Sequence, residues 1–336
     1  MSFKDSAYFF LFAKVRMELE KLKRPASRAR ANDPNPFEPM SNDDQNTSQS
    51  SLNRPFRVAV AQIAPKLGDV AANLEMHKRI ISETTAAGAD LVVFPELSLT
   101  GYFLRDLVSE VALKRDSSEI KQLAGVSPQA SVVFGLVEES SRNQLYNGAV
   151  WVEGGEVKAL HRKAYLPTYG MFDESRYFAA GNRMRCFDTR LGRVGILICE
   201  DAWHLSNTVI LGADGADLII LMGNSPARGV NTAELASQAV WHHIARNVAM
   251  FLNVPVVFAN RVGYEDGVCF FGSSQVLAPG GSTLAQAAQL EEEILWATID
   301  PSATRQARIR TPLARDERLE LTLRELERIA HERNQA

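Results

Sequence analysis

Cysteine is scarce: Cys186, Cys199 and Cys269 are the only three in 336 residues, and no two share a CxxC spacing. That excludes a disulfide framework or a zinc knuckle and suits a reducing compartment. An excess of charge of one sign is also lacking. With 37 basic and 40 acidic residues the formal net charge is −3, so no global positive field draws the chain to nucleic acid or to an anionic membrane. Long apolar runs are missing as well. The longest early one, Ala7 to Ala13, is flanked by Lys4, Asp5, Lys14 and Arg16 and has neither the length of a membrane span nor a small-residue cleavage site. No signal peptide or anchor is expected, and the expected location is cytoplasmic.

What is present is apolar material in quantity. Hydrophobic residues make up 46%, enough for one large core or two modest ones, which excludes a disordered or fibrous chain and leaves small-molecule chemistry as the better prior. Residues 14 to 54 differ from the rest, with alternating charges, Pro25, Pro34, Pro36 and Pro39, and a polar tract from Ser41 to Asn53. Such a composition cannot offset its ordering entropy by burial. Residues 1–54 therefore read as a flexible leader, with Met40 as a candidate translation start.

From Arg57 onward, short β-branched runs alternate with longer helical stretches, the rhythm of an α/β fold. Strands are expected over Arg57–Ile63, Leu91–Phe94, Ser131–Val137, Ala149–Val152, Arg193–Cys199, Leu218–Met222 and Val256–Asn260. Helices are expected over Ala71–Ala87 and Thr232–Phe251, whose apolar residues recur at helical spacing. Residues 302–336 read as a C-terminal extension. Within it, Asp316–His331 places Leu319, Leu323, Leu326 and Ile329 on roughly one face, a helix suited to docking or dimerisation.

Three polar residues stand where strand-like runs end. Glu96 follows Leu91-Val92-Val93-Phe94-Pro95, at the carboxyl end of a buried strand, where α/β proteins place their crevices. Cys199 closes Val194-Gly195-Ile196-Leu197-Ile198 ahead of Glu200-Asp201-Ala202-Trp203, which reads as a turn into a helix; a thiol at a helix start is expected to have a lowered pKa. Lys163 lies in His161-Arg162-Lys163-Ala164-Tyr165-Leu166-Pro167. A lysine beside a thiolate can hold negative charge on an attacked carbonyl oxygen, so carboxylate, lysine and thiol together make an acyl-transfer apparatus.

These segments, Val92 to Tyr102, Arg162 to Pro167 and Ile198 to Asp201, resemble in order and spacing the nitrilase, or carbon–nitrogen hydrolase, superfamily. Pro95 to Tyr102, Tyr165 to Glu174 and Cys199 to Trp203 resemble in particular the glutaminase domain of glutamine-dependent NAD synthetases. The similarity covers roughly residues 56 to 300, and residues 55–301 are read as the carbon–nitrogen hydrolase domain. The resemblance implies an αββα sandwich with mixed sheets that dimerises into a four-layer assembly, so a homodimer or higher homo-oligomer is expected. It assigns Cys199 as nucleophile, Glu96 as general base and acid, Lys163 as stabiliser of the tetrahedral intermediate, and Glu174 as a second glutamate orienting the lysine or the substrate. Tyr102, Tyr169 and Glu200 are expected to approach the substrate, with Asn224 and Ser225 lining the far side of its pocket.

The implied reaction hydrolyses a small amide, glutamine-like, with release of ammonia. An N-carbamoyl amino compound or a nitrile is the alternative substrate, and an idle subunit of a synthase assembly is the non-enzyme alternative. Neither metal nor organic cofactor is implied. No Ser-Gly-Gly phosphate loop of a synthase domain is found before Ala336, so NAD synthesis by this chain alone is not expected, and an ammonia-accepting synthase is a candidate partner. Cys186 and Cys269 read as structural. His242 and His243, adjacent on a helix, point in different directions and do not suit a metal. The Arg-rich tail from Arg305 to Arg333 is interleaved with glutamate and leucine, which favours a solvated helix over nucleic-acid binding.

Overall fold

The computed structural model describes residues 54–229 and 235–334. Residues 1–53, which carry the leader and the Met40 start, lie outside the described residues, as do residues 232–234 of the helix expected over Thr232–Phe251.

The strand Phe56–Gln62 (β1) is apolar at nearly every position because both its faces are covered. Val58 and Val60 enter a core shared with Val194, Ile196 and Leu218, while Ala59 and Ala61 enter a second core with Leu74, Ile81 and Leu123. A strand buried on both sides reads as a run instead of an alternation. Around β1 a six-stranded sheet forms with Leu91–Val93 (β2), Ser131–Glu139 (β3), Leu145–Glu153 (β4), Glu156–Arg162 (β5) and Glu293–Ile299 (β14), in the order β14-β1-β2-β3-β4-β5. The pairs β1–β2 and β2–β3 are parallel and the others antiparallel.

A second six-stranded sheet contains Phe187–Thr189 (β6), Gly192–Ile198 (β7), Leu218–Gly223 (β8), Val256–Asn260 (β9), Gln275–Leu277 (β12) and Thr283–Gln286 (β13), in the order β13-β12-β9-β8-β7-β6. Val262–Glu265 (β10) and Val268–Phe271 (β11) pair as a separate hairpin. Helices Val70–Ala86 (α1) and Ser118–Val126 (α2) cover the outer face of the first sheet, and Leu205–Ala213 and Ala236–Leu252 contribute Leu211, Trp241, Ala245 and Val248 to the core of the second. The result is the αββα sandwich with mixed sheets that the motifs imply.

All seven expected strands are present, with ends shifted by a few residues. The short strands β6 and β10 to β13, the seven-residue strands β5 and β14, and the helices Ser118–Val126 and Pro301–Arg310 are not among the expected elements, while the helix expected after the Cys199 turn is Leu205–Ala213. The C-terminal helix spans Leu319–Arg333. Its Leu319, Leu323, Leu326 and Ile329 are all exposed, so the apolar stripe is uncovered among the described residues.

Two features fix the turn after β2. Gly135 on β3 passes so close that a Cβ there would stand 2.2 Å from the Leu97 backbone nitrogen. His77 on α1 stacks on Phe94, with centroids 4.1 Å apart, and its Nε2 bonds Ser98 Oγ at 2.9 Å. Burial lowers the His77 pKa from 6.5 to about 4, against the Asn73 carbonyl, which favours its protonation.

Because the folded pKa is the lower one, the neutral ring supports folding above pH 6.5, and that support fades as pH falls toward 4, at up to about 1.4 kcal/mol per pH unit. Chemical denaturation at pH 7 and pH 4.5 is expected to show a smaller acid loss in His77→Gln than in the parent; equal losses would remove the histidine from this role. Gly135→Ala is expected to destabilise by about 1–3 kcal/mol, read from the denaturation midpoint, because backbone and not a flexible side chain meets the new methyl.

Candidate active site

The carboxyl ends of β2, β5, β7 and β8 converge. Glu96 stands two residues beyond Phe94, Lys163 directly after β5, Cys199 directly after β7 and Asn224 directly after β8. Glu96, Lys163 and Glu174 are all buried. The Lys163 ammonium donates to Glu96 Oε1 at 2.8 Å and to Glu174 Oε1 at 2.7 Å, which commits two of its three hydrogens. Burial alone would lower the Lys163 pKa, but the two carboxylates outweigh it and hold the ammonium well above the usual lysine range. Burial lifts the Glu174 carboxyl to about 7, with Lys163 pulling against that rise and Glu96 adding to it.

Glu96 is anchored on one side only. Oε1 accepts from Asn147 Nδ2 at 2.8 Å as well as from Lys163, whereas Oε2 is buried and has no partner among the described residues. Its backbone carbonyl accepts from Asn224 Nδ2 at 2.8 Å. One carboxylate oxygen is thus fixed, and the other is left without a partner among the described residues.

Cys199 opens a 3-10 turn, Cys199–Trp203, in the left-handed region at φ 46°, a conformation that costs a non-glycine residue of order 1–3 kcal/mol. The thiol pKa departs from the sequence expectation. Burial raises it well above its usual value, Glu96 raises it further, and Lys163 and a backbone hydrogen bond from Asn224 only partly oppose this. The helix proper begins at Leu205, after the turn, so its N-terminus does not act on the sulfur. The upward shift keeps the Cys199 side chain a neutral thiol at rest.

Motif reading overlooked the role of Asp201. Its buried Oδ1 accepts from the backbone amides of Ala164 at 2.9 Å and Tyr165 at 3.1 Å, and its Oδ2 accepts from the amide of Ile198 at 3.1 Å and bonds His161 Nε2 at 3.0 Å. One carboxylate therefore ties the segment that carries Lys163 to the turn that carries Cys199. Asn147 was missed too, since an asparagine inside a strand shows its partner only after folding.

Cys199 opens into a cavity of about 310 Å³ bordered by Tyr169, Glu200, Asn224, Ser225 and Arg228. Four of the expected substrate residues thus share the thiol's cavity. Tyr169 donates to Glu200 Oε2 at 2.8 Å, and Ser225 Oγ and Asn224 Oδ1 are buried without a partner among the described residues. Tyr102 lies elsewhere: its hydroxyl donates to Glu174 Oε1 at 2.5 Å, and it borders a neighbouring cavity together with Glu174. Burial and the nearby Glu174 carboxylate push its pKa up, so it acts here as a donor. Cys186 donates to the Leu211 carbonyl, away from this cavity. Among the described residues no group of His, Cys, Asp and Glu is arranged to hold a metal ion.

Asp201→Asn keeps the volume but turns an amide N–H toward backbone donors, leaving buried amides unpaired at about 1–3 kcal/mol each. Thermal unfolding should register that loss. Turnover is expected to fall about tenfold or more through kcat, with KM moving less, since the change displaces reacting groups and not the cavity lining. An unchanged kcat would show that the tie has no bearing on chemistry.

Comparison with known proteins agrees with this geometry. The sequence profile of the Carbon-nitrogen hydrolase family matches residues 57–309. Over 255 residues the chain is 31% identical to a glutamine-dependent NAD(+) synthetase of Acinetobacter baylyi, covering 76% of this chain and 46% of that protein, and 34% identical to one of Rhodobacter capsulatus, covering 74% and 44%. The chain thus spans about half the length of these curated relatives. A solved carbon-nitrogen hydrolase of Helicobacter pylori superposes with a TM-score of 0.70 at 26% identity, covering 80% of this chain and 97% of that one. Among the described residues no helix is long and apolar enough to cross a membrane. By profile, by sequence and by fold, the chain belongs to the carbon–nitrogen hydrolase family.

Proposed function

We propose that the chain hydrolyses the carbon–nitrogen bond of a small glutamine-like amide through a thioester on Cys199, with Glu96, Lys163 and Cys199 as the catalytic triad. The observation that carries this reading is the unpartnered, buried Oε2 of Glu96, beside an ammonium that retains one free hydrogen. The thiol gives its proton to Glu96 as sulfur attacks the amide carbon, and the Lys163 ammonium takes up the charge that develops on oxygen. Glu96 then passes the proton to nitrogen, the carbon–nitrogen bond breaks and ammonia leaves. Water enters, Glu96 removes its proton, the hydroxide attacks the thioester, and the sulfur departs with a proton returned from Glu96. Glu174, held by Tyr102, orients Lys163 throughout.

Two charged residues favour an amino-acid amide over a plain one. Glu200 and Arg228 border the thiol's cavity and suit an α-ammonium and an α-carboxylate, respectively. Similarity to glutamine-dependent NAD synthetases over less than half their length supports transfer of the ammonia to a synthase partner. The exposed apolar stripe of the C-terminal helix supports a homo-oligomer, and three free cysteines accord with a cytoplasmic setting. An idle subunit would tolerate loss of one of the three groups, and all three are in place.

Ammonia release from glutamine, N-carbamoyl amino acids, aliphatic amides and nitriles tests the proposal. Glutamine is expected to be the best of these, and Cys199→Ala and Glu96→Gln are each expected to lower turnover by at least about 10²-fold. Intact mass spectrometry of a rapidly quenched reaction should find the acyl group on Cys199. Turnover surviving in Cys199→Ala would overturn the mechanism, and a preference for nitriles or carbamoyl compounds would replace the substrate.

A further inference from the structure

The first sheet ends at β5, whose outer edge pairs with no strand among the described residues. Beside that edge lies a cavity of about 590 Å³, sharing no residue with the cavity of Cys199. Its charged lining is one-sided: Arg115, Lys158, Arg162, Arg183 and Arg185 face a single carboxylate, Glu138. That carboxylate is already committed, accepting from Arg162 Nε at 2.5 Å and from its terminal nitrogen at 2.6 Å. Arg115 makes one bond of 3.4 Å, to the Val157 carbonyl, and Lys158, Arg183 and Arg185 have neither an ion pair nor a side-chain hydrogen bond among the described residues.

Four uncompensated cations around one concavity repel one another, and the net charge of −3 shows that the chain has no general surplus of positive charge to distribute. All four are exposed, so water screens that repulsion, and what marks the site is their grouping around one concavity without a carboxylate partner among the described residues. We propose that this cavity is a binding site for a phosphate-bearing small molecule whose phosphate chain is held by Arg115, Lys158, Arg183 and Arg185. Guanidinium forks match phosphate oxygens two at a time, and three of these four cations are arginines. The volume falls within the range of small-molecule sites. A single concavity of this size favours a compact ligand over the extended basic stripe that a nucleic acid requires.

Inorganic tripolyphosphate is the probe, titrated calorimetrically into the full chain at fixed ionic strength, with sodium sulfate as the control anion. Saturable binding and a rise in Tm are expected from tripolyphosphate, with a smaller rise from sulfate. Removing both exposed arginines in Arg183→Ala/Arg185→Ala should weaken the binding by about tenfold or more without changing basal amide turnover. An Arg318→Ala/Arg333→Ala variant, which removes the same charge from the C-terminal helix, should bind like the parent. No saturable binding, an equal loss in the two double variants, or tighter binding of a single-stranded oligonucleotide than of tripolyphosphate would each overturn the proposal.

Discussion

The constraint on which the site depends is a lysine ammonium with no exposure to solvent. Lys163 is buried completely, and the penalty for removing one such ion from water is several kcal/mol even after relaxation. Only partners held at bonding distance can offset it, and here they are two carboxylates from segments far apart in sequence. The arrangement is therefore mutual. Without Lys163, Glu96 and Glu174 would be left buried and unpaired, a loss of about 3–5 kcal/mol for a broken buried pair. The sandwich must close correctly for the charges to be tolerated at all, so a chain that folds brings these three groups together.

The same logic explains why backbone strain collects around them. Leu97, next to Glu96, and Cys199 both take φ near +46°, and Gly135 admits the Glu96 turn where no other residue would. Strained turns persist when their surroundings over-determine them. Ser98, His77 and Phe94 grip one turn, and Asp201 with its four polar contacts grips the other. Arg261 and Glu265, buried and 2.6 Å apart, extend the support: Glu265 Oε1 accepts the amides of Tyr102 and Phe103 and so holds the tyrosine that bonds Glu174.

Sequence made legible what depends on local pattern. Glu96 and Cys199 follow the runs Leu91–Val93 and Gly192–Ile198, and a strand buried on both faces announces itself as an apolar run with a defined end, whereas Lys163 follows the half-buried strand β5 and is marked by its flanking motif. The short strands β10, β12 and β13 carry no comparable run, since polar residues or glycine interrupt each, and pairing defines them more than burial does; β11 has an apolar run but only four residues of it. Asp201 and Asn147 act only across folded distance, so nothing beside them in the chain marks their partners. Tyr102 is at the expected turn, yet its hydroxyl selects Glu174, a choice that depends on packing from the β10–β11 hairpin.

Magnitudes decide the character of the Cys199 thiol. A helix N-terminus contributes about 0.3–1 kcal/mol and fades within a turn, whereas a unit charge about 4 Å away acts with roughly 4 kcal/mol at an effective dielectric of 20. Burial and the Glu96 carboxylate accordingly set the thiol pKa, and the short 3-10 turn at Cys199 does not. A sulfur kept protonated is unreactive until its proton has somewhere to go. In the proposed mechanism the Oε2 of Glu96, which has no partner among the described residues, supplies that place, so attack and proton transfer would be linked at one carboxylate and the ammonium beside it would receive the charge created on oxygen. Burial thereby suppresses adventitious thiolate chemistry, while the thiol still borders a cavity of about 310 Å³.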